Sequence, residues 1–352
     1  MPYYTPLRYP GGKRRLATAI MHLLDANNLR DVEYIEPYAG GAAVALALLM
    51  EEYASIIHIN DFSRAVYAFW YSVLNDNADL CRKINTAKLT MREWHKQREV
   101  YDQRETADLT ALGFATLYLN RTNRSGILSG GVIGGKNQTG EWGLDARFGK
   151  PELVHRIQRI GRYKNRINLH QLDALEFTKQ VLPTVGPNRF AFYDPPYIEN
   201  GADLYLNNYD IEGHRSLSEA VSKLAGAWVV TYDYSAVRHR LYRSHRRIAY
   251  GLKYTAQGRY EGKEVMFLSK GLKLPSNWNK AAPIKMSAGS SKLQLYGIIE
   301  DMKAHPNMVE GPEAGERFVS ALKTVLAVPK SAIPQPFKKP MTKAKRPTSR
   351  KG

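Results

Sequence analysis

The stretch Arg189–Tyr197, RFAFYDPPY, predicts a buried strand that stops abruptly at two prolines. Phenylalanine alternates with alanine and tyrosine over Phe190–Tyr193, and Asp194 follows at the carboxyl end. Pro195 and Pro196 cannot donate to a sheet ladder, and each disfavours helix in the residue before it. We therefore expect an extended, stiff chain just beyond the strand tip.

The carboxyl end of such a strand is where an open α/β sheet binds its ligand. At this tip Asp194 supplies a carboxylate, the proline segment supplies backbone carbonyls, and Tyr197 supplies an aromatic ring. These acceptors can take both hydrogens of an exocyclic amino group while the ring stacks on the base that carries it. The alternative is a strand that merely ends in a proline turn.

The composition indicates a globular chain with a polyanionic partner. Of 352 residues, 51 are Lys or Arg and 33 are Asp or Glu, a formal charge of +18; membrane-surface and ribosome-associated proteins share such a balance. The single cysteine, Cys81, excludes an internal disulfide and a Cys-based zinc site, which is typical of a cytoplasmic protein. We recognise no signal peptide, and the most apolar run, Ala39–Met50, is too short to span a bilayer.

Strands alternate with helical patterns along the chain, which predicts an α/β protein with a doubly wound, mostly parallel sheet. Besides the strand quoted above, the expected strands are Val32–Ile35, Ser55–Asn60, Arg166–His170, Trp228–Tyr232 and Lys263–Ser269.

Small or acidic residues follow several of these strands. The loop Glu36–Gly41, EPYAGG, lets backbone approach a nucleotide-type ligand. Asp61 follows the next strand, where a ribose hydroxyl pair is usually held, and Asp173 is a second candidate; a helix N-cap is the alternative for both. Near the start of the chain, Arg8–Lys13, RYPGGK, is a glycine turn that opens a helix and favours an anionic ligand, or else a surface turn.

The segment Asn120–Lys150 has eight glycines, polar amides and no periodicity. A loop of this length inside a compact domain is uncommon unless it is functional, and its residue types pair with phosphates and base edges. We expect a nucleic-acid-binding loop, with a disordered insertion as the alternative. The candidate DNA contacts are Arg121, Asn123, Arg124, Lys136 and Arg147.

After residue 270 the composition shifts towards proline, lysine and small residues. We expect a catalytic domain over 1–75 and 151–270, a target-recognition insertion over 76–150, a linker over 271–291, a small helical unit over 292–329 and a tail over 330–352. The basic, proline-containing tail is expected to be disordered and to add salt-dependent attraction to phosphate, or simply to solubilise.

Four segments, in this order, resemble the Dam-type DNA adenine-N6 methyltransferases of the D12 class, alpha subgroup. They are Tyr9–Lys13, Glu36–Gly41, Tyr118–Arg121 before the glycine-rich loop, and Asp194–Tyr197. The resemblance covers roughly 6–270. It implies a Rossmann-like methyltransferase that uses S-adenosylmethionine and acts on double-stranded DNA, alone or in a restriction-modification system.

The resemblance also implies roles for individual residues. Tyr9, Lys13, Glu36, Pro37, Gly40, Asp61, Asp173 and Asp194 would contact the cofactor, with Asp61 on the ribose and Asp173 beside the adenine. The catalytic set would be Asp194, Pro195, Pro196 and Tyr197. The segment NRTNRSGI differs from the GATC-methylating members, which leaves the target sequence open.

The chemistry needs no strong base. An adenine amino nitrogen is a poor nucleophile, and acceptance of its two hydrogens by Asp194 and the Pro195 carbonyl would localise the lone pair and stabilise the developing positive charge. Because the amino group is paired in a duplex, the base must be flipped out, and Tyr197 would stack on it. The alternatives are a methyltransferase for RNA or protein glutamine, whose tetrapeptide usually begins with Asn, and a silent DNA-binding regulator.

Overall fold

A computed structural model describes residues 3–8, 16–196, 211–233, 241–254 and 260–275. The chain divides into the units Met1–Ser290 and Ser291–Gly352, and every described residue belongs to the first. The expected helical unit over 292–329 and the expected basic tail over 330–352 lie outside the described residues.

The described strands form one sheet in the order β3-β2-β1-β4-β5-β7-β6. Neighbouring strands from β3 to β5 are parallel, and β7 is antiparallel to both β5 and β6. The strands are β1 Val32–Glu36, β2 Ala54–Asn60, β3 Ile167–His170, β4 Arg189–Tyr193, β5 Ala227–Asp233, β6 Arg246–Tyr254 and β7 Tyr260–Leu268. The mostly parallel sheet that the sequence predicts is thus confirmed.

Helices cover both faces of the sheet. They are α1 Leu16–Ala26, α2 Ala43–Met50, α3 Arg64–Asn75, α4 Asn77–Thr86, α5 Met91–Asp102, α6 Leu109–Thr122, α7 Lys150–Gly161, α8 Ala174–Gln180 and α9 Ile211–Ser222. Phe190 and Phe192 of β4 pack in one core with residues of α1, α2 and α3, whereas Ala191 and Tyr193 pack in a second core with residues of α8 and α9. The alternation in RFAFY therefore reflects a strand buried on both faces.

The end of the sheet differs from the sequence-based expectations in two places. Strand β6 was not predicted, because Arg246 is exposed and Arg247 partly so, and an edge strand of this kind lacks a continuous apolar run. The linker expected over 271–291 does not begin at 271, since Leu272 is buried in the core. The Asn27 side chain also holds the backbone N–H and carbonyl of Lys273 at 2.8 Å each.

Helices α4 to α7 and the glycine-rich loop lie between β2 and β3 along the chain. Helices α3 and α6 approach closely at Gly113, where a Cβ would lie 2.5 Å from the Ala68 carbonyl oxygen. The loop has defined structure, with an isolated antiparallel bridge between Asn123 and Val132, so a disordered insertion is not what the chain forms there. Within the described ranges, no helix is both long enough and apolar enough to cross a membrane.

Candidate active site

Acidic residues end or follow four parallel strands that lie side by side. Glu36 is the last residue of β1, Asp61 follows β2, Asp173 lies shortly after β3, and Asp194 follows β4. Because parallel strands end at the same edge of a sheet, the topology brings these four residues to one edge, where open α/β sheets bind ligands. The candidate site is built on this edge.

Asp61 braces the glycine loop that follows β1. Its Oδ2 accepts a hydrogen bond from the Gly40 N–H at 2.8 Å, and its Oδ1 accepts one from the Ser63 N–H at 2.9 Å. The Gly40 carbonyl in turn accepts a 2.9 Å hydrogen bond from the Trp70 indole. Burial raises the pKa of Asp61 to about 6, and the two backbone donors oppose the rise. Asp61 is therefore mainly ionised at neutral pH.

Glu36 is buried beneath the same loop. Its Oε2 accepts a hydrogen bond from the Ala45 N–H, in the first turn of α2, at 3.1 Å. Burial raises the pKa of Glu36 well above its usual range, the Ala45 N–H opposes the rise, and the negative charge of Asp194 adds to it. Glu36 is therefore harder to ionise than an exposed glutamate.

Asp194 is oriented by a hydroxyl on the neighbouring strand. Thr231 Oγ1, fully buried on β5, donates to Asp194 Oδ1 at 2.7 Å and lies 3.3 Å from the Tyr193 carbonyl oxygen. Asp194 itself is half-buried, and Pro195 and Pro196 are buried behind it. Sequence reasoning missed Thr231; its signal was a small hydroxyl residue inside an otherwise apolar strand.

A second missed residue, Asn60, ties the loops of the site together. Its Nδ2 donates to the Pro37 carbonyl at 3.0 Å and to the Leu172 carbonyl at 2.9 Å, while its Oδ1 accepts from the Leu172 N–H at 2.9 Å. Asn60 is fully buried. One amide therefore fixes the glycine loop relative to the segment that precedes Asp173.

Asp173 caps the N-terminus of α8. Its Oδ1 accepts from the Leu175 N–H at 2.8 Å and from the Glu176 N–H at 3.3 Å. The N-cap alternative is thus correct, and a cofactor contact for Asp173 stays a prediction. Tyr9, Lys13 and Tyr197 lie outside the described residues.

Two of the five expected DNA contacts point into the protein and must be corrected. Arg121 is buried and its guanidinium donates to the Pro6 carbonyl from both Nε, at 2.7 Å, and Nη2. Burial and three nearby arginines lower the pKa of Arg121 to about 9. Asn123 is also buried; it accepts from the Trp94 indole at 2.7 Å and donates to the Ile127 and Leu128 carbonyls at 3.0 Å.

The other three expected contacts, Arg124, Lys136 and Arg147, are exposed on the glycine-rich loop. The same loop carries Trp142, whose side chain is 60% exposed. The Trp142 carbonyl approaches Gly134, and the Arg124 guanidinium approaches the neighbouring glycine. The loop therefore presents three exposed cationic side chains and an exposed indole.

The sheet order and its acidic edge define an α/β fold of the Rossmann-like methyltransferase class. The family model for D12 class N6 adenine-specific DNA methyltransferases matches residues 9–255, more than two thirds of the chain. The chain belongs to this family.

The solved structures that match this chain at low TM-scores include two whose descriptions concern RNA methylation. The rRNA methyltransferase AviRa of Streptomyces viridochromogenes has a TM-score of 0.32 and 13% identity, covering 74% of this chain and 86% of its own. A Pyrococcus horikoshii protein, provisionally described as an RNA methyltransferase, has a TM-score of 0.36 and 8% identity. The match covers 74% of the present chain and 85% of the Pyrococcus chain. No curated protein matches the sequence.

Proposed function

We propose that the protein transfers the methyl group of S-adenosylmethionine to the exocyclic N6 of adenine in double-stranded DNA. The observation that carries this proposal is the oriented carboxylate of Asp194 at the tip of a buried strand, held by Thr231 at 2.7 Å. Two neighbouring strand ends supply Asp61 and Glu36 beside a glycine loop. Family membership supports the same reaction.

The residues at the sheet edge fit a sulfonium cofactor with a ribose. Asp61 uses one lone pair of each carboxylate oxygen for Gly40 and Ser63, which leaves capacity for ribose hydroxyls. The glycine loop after Glu36 would lie against the methionine part, and the negative charge of Asp194 suits a cation. S-adenosylmethionine supplies an electrophilic methyl group when bound.

Asp194 and the Pro195 carbonyl would each accept one hydrogen of the adenine amino group. With both hydrogens held, the nitrogen lone pair would point at the methyl group that the bound donor supplies, and transfer would form an N–C bond, break the S–C bond and release S-adenosylhomocysteine. The nitrogen becomes acidic only after transfer, so its proton can pass to Asp194 or to water without a stronger base. These two preorganised acceptors, placed where positive charge develops, would account for most of the acceleration of methyl transfer.

The amino group of adenine is paired inside a duplex, so the base must leave the stack before it can reach Asp194. Tyr197 would stack on the flipped base, and Arg124, Lys136 and Arg147 would contact phosphates from the glycine-rich loop. The formal charge of +18 favours the same partner.

Thr231→Val is expected to lower the rate of methyl transfer by about 10- to 100-fold, because a hydrogen bond to a charged group contributes about 1.5–3 kcal/mol. The substitution removes the donor to Asp194 and keeps the side-chain shape. Single-turnover kinetics should show the loss in the chemical step, and Thr231→Ser should restore most of it. Equal rates for the Val, Ser and wild-type proteins would show that Thr231 does not orient Asp194.

Trp142→Ala is expected to weaken duplex DNA binding at least fivefold, since stacking of a base on an aromatic ring contributes about 1–3 kcal/mol. The side chain is exposed on the loop that also carries Arg124, Lys136 and Arg147, where a base or a sugar can cover it. Trp142→Phe should keep most of the affinity in fluorescence anisotropy titrations. Unchanged affinity in the alanine variant would remove Trp142 from the DNA-binding surface.

The substrate class is tested by incubating the purified full-length protein with tritiated S-adenosylmethionine and one substrate at a time. We expect label in duplex DNA. Label only in RNA or in a glutamine-containing peptide would support one of the other methyltransferases. DNA binding without label in any of the substrates would support a silent regulator instead.

A further inference from the structure

The end of helix α6 holds the backbone of the N-terminal segment 3–8. Asn120 Oδ1 accepts from the Arg8 N–H at 2.7 Å, and its Nδ2 donates to the Arg8 carbonyl at 2.7 Å. The same Nδ2 donates to the Gly126 carbonyl, in the glycine-rich loop, at 2.9 Å. Asn120 is only 2% exposed, so these bonds do not compete with water.

Other side chains from α6 and α7 hold the same segment. Arg121 donates to the Pro6 carbonyl, and Arg156 donates to the Thr5 carbonyl at 3.0 Å. The guanidinium of Arg156 also lies 5.6 Å from the ring centroid of Tyr3. Segment 3–8 is thus attached to the two helices that flank the glycine-rich loop.

The loop itself packs directly on Arg8. Gly126 has φ +77°, and a Cβ at this position would lie 2.3 Å from the Arg8 carbonyl oxygen. Any side chain at Gly126 would therefore push Arg8 away from α6. The amide of Asn120 and this contact together leave little freedom for the loop to move without Arg8.

The chain runs from Arg8 directly into Tyr9–Lys13, the expected cofactor contacts. We propose that Asn120 is a positioning residue that couples binding of the methyl donor to binding of DNA. DNA that engages the loop after Gly126 shifts or orders it, and the three hydrogen bonds of Asn120 transmit that change to Arg8. By linkage, the cofactor must then change DNA affinity by the same factor. This inference rests on the proposed function.

The test measures the dissociation constant of S-adenosylhomocysteine by calorimetry, with and without a duplex that the wild-type protein methylates. We expect the duplex to change this constant about fivefold or more in the wild-type protein, and less than about twofold in Asn120→Ala. Asn120→Asp keeps the acceptor for the Arg8 N–H and loses both donors, so it should also lose the coupling. It serves as the second variant if alanine prevents folding.

Asn27→Ala is the matched control. Asn27 holds the N–H and carbonyl of Lys273 in the same pattern but is only partly buried, so its substitution removes the same kind of contact, should cost less stability and should leave the coupling intact. Wild-type coupling retained in both Asn120 variants would overturn the inference. So would a wild-type protein that methylates DNA but shows no coupling, and in that case the proposed function would stand. A wild-type protein that methylates no duplex would overturn both.

Discussion

Asp194→Ala is expected to slow methyl transfer by roughly a hundred- to a thousandfold while most of the affinity for duplex DNA remains. The carboxylate is held by Thr231 and lies at the tip of β4, where it would accept a hydrogen of the adenine amino group. Its loss removes an acceptor that acts most strongly as positive charge develops on nitrogen. Single-turnover kinetics and an anisotropy titration on the same duplex measure the two effects separately.

Glu52→Ala provides the control for loss of a carboxylate elsewhere. Glu52 precedes β2 and therefore lies at the amino-terminal ends of the parallel strands, away from Asp194. It forms a surface ion pair with Arg166 at 2.8 Å. Its substitution should leave the rate unchanged. Near wild-type methyl transfer by Asp194→Ala, with the fold intact by circular dichroism, would show that another residue performs this role.

Asp61→Asn is expected to raise the dissociation constant of S-adenosylmethionine by about 10- to 100-fold, corresponding to about 1.5–3 kcal/mol. Both carboxylate oxygens accept backbone N–H groups, from Gly40 and Ser63. An asparagine amide must turn its NH2 group towards one of these donors, which displaces the glycine loop. Calorimetry with the full-length protein measures the change, and unaltered affinity would remove Asp61 from the cofactor site.

The pH dependence of cofactor binding provides a second measurement on Asp61. Burial raises the pKa of this carboxyl to about 6, so the protonated form predominates below about pH 6. The added proton then lies against one of the two backbone N–H groups that the carboxylate accepts, from Gly40 or Ser63. The affinity for S-adenosylmethionine should reach its full value at about pH 7 to 8. Below about pH 6 it should decrease by up to about tenfold per pH unit. Asp61→Asn should show no such step, and an identical profile in both proteins would assign the titration to another group.

Local sequence patterns predicted much of the fold. The strand Arg189–Tyr193 was predicted with its observed bounds, because its four apolar residues, 190–193, each face one of the two cores. The N-cap at Asp173 and the acidic residues at the ends of β1, β2 and β4 also follow from short stretches of sequence. The sheet edge where they meet follows from strand order alone.

The residues that organise the site were harder to predict because their partners are distant in sequence. Asn60 bonds to Leu172, and Asn120 to Arg8, each across 112 positions. No periodicity links such pairs. The residue types of Arg121 and Asn123 suggested DNA contacts, but both side chains point inward at the end of α6. Arg121 holds the N-terminal segment there, and Asn123 holds the start of the loop.

The central claim is that the β4 tip grips the amino group of adenine, and it is most directly tested by the identity of the methylated base. Duplex DNA is incubated with the full-length protein and isotopically labelled S-adenosylmethionine, digested to nucleosides and analysed by mass spectrometry. We expect the label in N6-methyladenine, with at least a hundredfold less from Asp194→Ala. Label confined to N4-methylcytosine, or equal N6-methyladenine from both proteins, would contradict this claim.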